Sequence, residues 1–365
     1  MPTQDPLLYE RRNKMSKFMS SRFDSLEAYT PGEQPRDMQY IKLNTNESPY
    51  PPSPEVLAAV NEAEVAKLNL YPDPTAKGLK AALAGRYNVK PDNIFVSNGS
   101  DDILNFAFMA FCDDKIGVTY PAISYGFYEV YADLYRLDAK AVALKEDFSI
   151  DPTEYHNSAR TVVIANPNAP TGILLSIDEI KGILDTNRNN VVLIDEAYID
   201  FGGESCVDLV NEYDNLLVVR TFSKSRCLAG ARLGFAIANE GLISDLEKIK
   251  YSTNPYNINR LSLIAGEKAI ESDDYYFDHC KDIIEARDYT VTELKKRGFT
   301  LTDSYANFVF AKHSTMGGEE LYLELKKRGV LVRHFSKEII KDYNRITIGT
   351  KEQMAALIRA IDDIL

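Results

Sequence analysis

Apolar residues follow two rhythms along this chain. Between about 90 and 240, short apolar runs end in turn-forming residues and alternate with segments of helical spacing. The runs at 94–96, 115–119, 140–144, 161–165, 191–194, 216–220 and 235–238 read as strands. Segments 100–112, 124–135, 176–184, 206–212 and 242–251 read as helices, and Ser176 with Glu179 has capping-box spacing. Strands that are apolar on both faces belong in a mostly parallel sheet covered by helices. Helices at 55–67, opened by Pro54, and at 76–87 precede this region. After a long helical region broken in places and ending near Arg297, the rhythm changes. Short strands at 298–302, 307–311, 330–333 and 345–349 mix with helices at 318–328 and 351–365. Residues 1 to about 30 have weak apolar spacing and read as an arm, followed by a short strand at 41–43. The expectation is an α/β fold: a large domain with a mostly parallel sheet between helices, plus a smaller α+β domain built from the C-terminal part and the N-terminal arm. The boundaries expected are an arm over 1–45, a large domain over 46–270 and a small one over 271–365. A length of 365 residues agrees with roughly two domains.

Composition narrows the function classes. The formal net charge of -12 argues against a nucleic-acid partner, because phosphate backbones favour basic surfaces. It leaves room for a small anionic substrate, since a few arginines can reverse the field inside a cleft. Cys112, Cys206, Cys227 and Cys280 have neither disulfide nor zinc spacing, and the four histidines form no HxxH or HExxH pattern, so no metal is expected. The N-terminus lacks a signal-peptide pattern, and no apolar run approaches the ~20 residues of a membrane span. A reducing, cytoplasmic setting and no membrane partner follow as the expectation.

The chemistry lies at the strand ends, where ligands of open parallel sheets bind. After 94–96, Gly99 permits a tight turn and Ser100 or Asp101 can cap the next helix, a setting that leaves backbone N–H groups for a phosphate. Tyr125 stands at a helix start, and Asn168 in a proline-rich turn. Asp195 ends a strand and leads to Tyr198. The stretch TFSKSRCLAGARLGF (221–235) carries Thr221, Ser223, Lys224 and Arg232. Singly, each has an ordinary reading: a cap, a solvated lysine, a surface ion pair. Together their types and order fit pyridoxal phosphate (PLP), which needs a lysine nucleophile, a carboxylate at the pyridine nitrogen, a phenol or amide at the ring O3′, an aromatic face, and an arginine with hydroxyls and N–H groups for the phosphate. Tyr71, in the proline-bearing loop LYPDP, either packs within its loop or presents its hydroxyl. Neither GxGxxG nor GxxxxGK[ST] occurs, which disfavours nicotinamide and nucleotide chemistry.

The segments NPNAPTG (166–172), DEAY (195–198) and SKSRCLAGARLGF (223–235) resemble fold-type I PLP-dependent aminotransferases of class II. The segments IKLNTNESPYPPSP (41–54), NLYPDP (69–74), SNGSDD (97–102), YNINRLS (256–262), ANFVF (306–310), VLVRHF (330–335) and NRITIGT (344–350) are similar to the histidinol-phosphate aminotransferase family. The resemblance implies amino transfer between L-histidinol phosphate and 2-oxoglutarate in histidine biosynthesis, within a homodimer. It implies that Lys224 binds the cofactor covalently, that Asp195 pairs the pyridinium and that Tyr198 bonds O3′. It implies that Tyr71 reaches the phosphate in the other subunit. Arg345 resembles the arginine that takes the alpha-carboxylate of glutamate, and Arg333 the one that meets a distal phosphate or carboxylate. Tyr29, Asn46, Tyr256 and Asn307 lie in motifs near the substrate. The family often has asparagine where this chain has Ala169, and Asn168 is expected to supply the amide instead. An aromatic amino-acid aminotransferase and a threonine-phosphate decarboxylase share the fold and remain alternatives. A catalytically idle PLP-fold binding protein is a third, against which the intact Lys224, Asp195 and Arg232 argue.

Overall fold

The computed structural model of the protein describes residue 16 and residues 18–24 and 26–365. The arm expected over 1–30 thus lies partly outside the described residues; its first described element is a 3-10 turn, Ser21–Phe23. In chain order the strands are β1 (Ile41–Leu43), β2 (Ile94–Ser97), β3 (Val118–Pro121), β4 (Ala139–Val142), β5 (Thr161–Ala165), β6 (Val192–Asp195), β7 (Leu216–Thr221), β8 (Gly234–Ala238), β9 (Phe299–Leu301), β10 (Phe308–His313), β11 (Val330–His334) and β12 (Asn344–Thr347). Among the described residues they form a seven-stranded sheet, ordered β2-β8-β7-β6-β5-β3-β4, and a five-stranded sheet, ordered β1-β11-β12-β10-β9.

Strict alternation builds the larger sheet. Val192, Ile194, Leu216 and Val218 pack into one apolar cluster with the helices Lys77–Tyr87, Ile177–Thr186 and Arg260–Glu271. Leu193, Leu217, Val219 and Ala236 pack into another, with Ser100–Phe111, Phe127–Tyr135 and Glu240–Thr253. Both faces are therefore dry, and each fully buried aliphatic side chain stabilises by ~1.5–3 kcal/mol. β8 is the exception to parallel order, antiparallel to both β2 and β7.

In the smaller sheet β1 lies parallel to β11, and the remaining pairs are antiparallel. Its core sets Phe308, Val309 and Ile346 against Ile283 and Leu294 of the helix Asp273–Lys296 and Leu357 and Ile361 of the helix Lys351–Asp362.

Three expected elements come out differently. The helix expected over 55–67 breaks after Ala59, because Asn61 turns its side-chain oxygen onto the N–H groups of Ala63 and Glu64 and starts a new short helix, Glu62–Val65. The 206–212 helix is a 3-10 segment, Val207–Asn211. The strand expected over 115–119 begins only at Val118, since Asp113 folds back to accept from the N–H groups of Lys115 and Ile116.

Reversal of β8 sets Gly234 beside both Ser97 and Thr221. A Cβ on Gly234 would lie 2.5 Å from Ser100 N and 2.6 Å from Gly99 C, both rigid backbone. Gly234→Ala should therefore destabilise the protein by about 1–3 kcal/mol. Urea unfolding measures the effect; an unchanged unfolding midpoint would show that the β2–β8 contact has slack.

Candidate active site

The polar groups read from the sequence converge on one edge. Asp195 closes β6, Thr221 closes β7, and the turns carrying Gly99, Tyr125 and Asn168 follow β2, β3 and β5. Arg232 comes just before β8, whose reversed direction returns its start to that edge.

A cup forms around Gly99. This residue has φ +93°, which glycine tolerates, and a Cβ there would lie 2.8 Å from Arg232 Nη2. The helix Ser100–Phe111 begins without a side-chain cap, so its first N–H groups stay available. Arg232, itself left-handed at φ 51°, donates to Asp101 Oδ2 at 2.9 Å, and Asp101 Oδ1 accepts from the Tyr125 hydroxyl at 2.6 Å. Ser223 N donates to Thr221 Oγ1 at 3.1 Å, and both residues are buried. Asn257, one residue after Tyr256, ties its loop to the cup through Ser97 Oγ (2.6 Å) and Asp102 Oδ2 (2.7 Å).

Lys224 reaches into the cleft. Its Nζ donates to Thr45 O at 3.2 Å and lies 5.7 Å from the Tyr198 ring centroid. Burial, with Arg345 and Arg232 nearby, lowers its pKa to about 8 against the pull of Asp101 and Glu47. Asp195 shares strand parity with Leu193, so its carboxylate points to the face of the helix Phe127–Tyr135. There Oδ2 accepts from the Tyr128 hydroxyl at 2.9 Å, and Oδ1 accepts from Ala197 N at 3.2 Å. Burial raises the Asp195 carboxyl to about 6.

Asn168 departs from expectation. Its Nδ2 donates to Ile123 O (3.0 Å) and Thr171 Oγ1 (3.1 Å), and its Oδ1 accepts from Ser124 Oγ (2.8 Å). Both amide hydrogens expected at the ring oxygen are thus spent inside the 166–172 turn and its neighbour. The amide that meets Tyr198 is Asn46, whose Nδ2 donates to Tyr198 Oη at 3.0 Å. Asn46 also exchanges two bonds with Thr347 Oγ1 at 3.0 Å and accepts from Asn307 Nδ2 at 3.1 Å. It therefore joins the smaller sheet to the edge of the larger one.

Arg333 and Arg345 stand opposite each other across β11 and β12. Their partners are backbone carbonyls: Pro31 O (3.4 Å) and Thr30 O (3.3 Å) for Arg333, Asn44 O (3.0 Å) for Arg345. Among the described residues Arg345 Nε is buried without a hydrogen-bond partner, and burial together with Arg333 lowers the Arg345 pKa. Tyr29 stacks on Phe127 at 4.3 Å and lies 6.4 Å from Tyr125. Tyr71 is 78% exposed and stacks on Tyr256 at 4.6 Å, outside this cluster.

These residues fit PLP on their own chemistry. Among the described residues, a buried carboxylate has no cation, a helix N-terminus has no side-chain cap, a lysine is partly neutral near pH 7, and an arginine has an unused buried donor.

The profile of the family described as "Aminotransferase class I and II" matches residues 38–361. The chain belongs to the class I and II aminotransferases. A histidinol-phosphate aminotransferase of Brachyspira hyodysenteriae is 51% identical over 96% of this chain and 99% of its own length. One from Clostridium acetobutylicum is 46% identical over 96% of this chain and 100% of its own. Among solved structures, the histidinol-phosphate aminotransferase of Sinorhizobium meliloti in complex with pyridoxal-5'-phosphate has a TM-score of 0.85 at 21% identity, covering 97% of this chain and 100% of that one, a likeness of fold.

In this aminotransferase two contributors escaped the sequence reading. Tyr128 stands three residues after Tyr125, a helical spacing that could have flagged it. The carbonyls of Asn44 and Thr45 bear no side-chain signal at all. The Asp195 carboxyl is harder to ionise folded than unfolded, so it subtracts stability above pH 6 and ceases to do so below about pH 4. Asp195→Asn should stabilise the cofactor-free aminotransferase by about 3 kcal/mol at pH 7.5 and by less at pH 5. Urea unfolding at the two pH values checks the sign; a difference that grows on acidification contradicts it.

Proposed function

We propose that this aminotransferase moves the amino group of L-histidinol phosphate to 2-oxoglutarate, with PLP as cofactor, giving imidazole acetol phosphate and glutamate in histidine biosynthesis. The observation that carries the substrate reading is the Arg333–Arg345 pair. The two guanidinium groups stand on paired positions of β11 and β12, donate to backbone carbonyls and lie over the Phe335 ring, and among the described residues neither is paired with a carboxylate, which suits substrates bearing two anionic groups. Relatives of that activity at 46–51% identity over 96% of the chain support it.

When bound, PLP supplies an aldehyde for the amine and a protonated ring that accepts electrons from the substrate's alpha carbon. The chain supplies the rest. Asp195 holds the proton on the ring nitrogen. Tyr198, oriented by Asn46, donates to O3′. Tyr125 packs on the ring face. The N–H groups at Ser100 and Asp101, presented by the turn at Gly99, would hold the phosphate together with Thr221, Ser223 and Arg232. Lys224 would hold the cofactor covalently until the donor amine displaces it, and the freed Nζ would then take the proton from the donor's alpha carbon, a role served by a pKa of about 8. Arg345 takes the alpha-carboxylate of glutamate and Arg333 the distal anion, with Tyr29, Asn307 and Tyr256 lining the substrate side.

The working unit is a homodimer in which Tyr71 reaches the neighbouring phosphate. Its exposure, together with exposed Leu57, Val65, Leu68 and Leu70 in the same part of the chain, supports that reading. The two sheets support a division into an N-terminal arm (1–45), a larger body (46–270) and a smaller one (271–365). Among the described residues no helix is long and apolar enough to cross a membrane, and the four cysteines are free, which suits a reducing cytoplasm.

Lys224→Ala should reduce turnover by more than ~10⁴-fold; near-normal rates would sink the mechanism. With 2-oxoglutarate as acceptor, histidinol phosphate should exceed phenylalanine, tyrosine and threonine phosphate in kcat/KM. Preference for an aromatic amino acid would overturn the substrate and leave the cofactor standing. A heterodimer of Lys224→Ala and Tyr71→Phe subunits should recover activity that neither homodimer has, since one of its sites keeps both residues. Failure of that recovery in a verified dimer removes Tyr71 from the neighbouring site.

A further inference from the structure

Tyr128 is fully buried in the first turn of the helix Phe127–Tyr135. It follows Tyr125 by three residues, and its N–H donates to Tyr125 O at 3.1 Å. The two rings meet edge to face at 5.8 Å and 84°, and Tyr120 lies 6.1 Å away on another side. One helical turn therefore presents two phenols to one site. Tyr125 faces the cleft through Asp101, and Tyr128 goes behind it to Asp195 Oδ2 at 2.9 Å.

The surroundings of Asp195 make that hydroxyl matter. Burial opposes its ionisation, and so do the neighbouring acids Asp101 and Glu196. The groups that favour its charge are the Tyr128 hydroxyl and the Ala197 N–H. Each carboxylate oxygen accepts one of these donors and keeps further lone pairs for a ligand. Packing alone does not require the hydroxyl, since a phenylalanine ring would fill the same space.

We infer that Tyr128 is a positioning residue for the amino-transfer reaction: by donating to Asp195 Oδ2 it keeps that carboxylate ionised and aimed at the cofactor's ring nitrogen. The inference rests on the reading of Asp195 as the ring-nitrogen partner. A carboxylate that loses one of two donors becomes a stronger base. It then draws the proton off the ring nitrogen onto its own oxygen, and the neutral ring accepts electrons less well.

The test compares holoenzymes reconstituted with ¹⁵N-labelled PLP: wild type, Tyr128→Phe, Asp195→Asn and the double variant. In Tyr128→Phe the ring-nitrogen resonance should move toward that of an unprotonated pyridine. Its kcat should fall about tenfold, with KM for the amino donor within about twofold, the scale of one hydrogen bond to a charged group. In the double variant, the resonance and kcat should match Asp195→Asn alone, because Tyr128 acts through Asp195. If Asp195→Asn shifts the resonance and Tyr128→Phe does not, the Tyr128 role is wrong and the Asp195 reading survives. If Asp195→Asn leaves the resonance where it was, both readings fall. A lower melting temperature in Tyr128→Phe with an unmoved resonance marks a packing residue and overturns the inference.

Discussion

A carboxylate placed where water cannot reach it is the constraint on which this site depends. Asp195 sits at the end of a strand whose neighbours on both sides are aliphatic, and among the described residues it forms no salt bridge. Folding alone would favour an amide there. On the proposed reading, the charge is half of a pair whose other half is a ligand cation. The fold bears the cost through the two dry faces of the larger sheet.

Reversal of β8 is the second constraint. In a wholly parallel sheet, the residue before a strand lies at the opposite edge from the residue after one. Because β8 runs backward, Arg232 meets the turns after β2 and β7 and faces Gly99 and Asp101. Two glycines make that approach possible: Gly99 leaves room for the guanidinium, and Gly234 leaves room for the backbone of the helix start.

Much of this was legible in the sequence. Alternating and continuous apolar runs marked nearly every strand, because burial on one or two faces is a local property of the pattern. The convergence of Asp195, Lys224 and Arg232 on one edge was legible because each stands at or near a strand terminus. Asn168 was misread for a reason that spacing cannot reveal. An amide in a turn rich in carbonyls and hydroxyls is satisfied locally first, and Ile123 and Thr171 take both its hydrogens. The break at Asn61 was similarly hidden, since a side chain that caps a helix can also interrupt one. Asn46 was placed near the substrate, but its link to Tyr198 spans 152 positions of chain, and no local pattern carries such a contact.

The segment Asn44–Asn46 shows how the site keeps its cations available. Asn44 O accepts from Arg345, Thr45 O accepts from Lys224, and the Asn46 side chain holds Tyr198. A carboxylate in either carbonyl position would form a charge-assisted bond roughly twice as strong, hold Lys224 protonated and neutralise Arg345 before any substrate arrived. A carbonyl fixes the geometry of a cation without cancelling its charge. Burial and the nearby Arg345 then hold the Lys224 pKa at about 8, and among the described residues Arg345 keeps a buried Nε with no hydrogen-bond partner. Three consecutive residues of an otherwise featureless connection thereby set the orientation of a lysine, an arginine and a phenol, and leave all three with capacity for ligands.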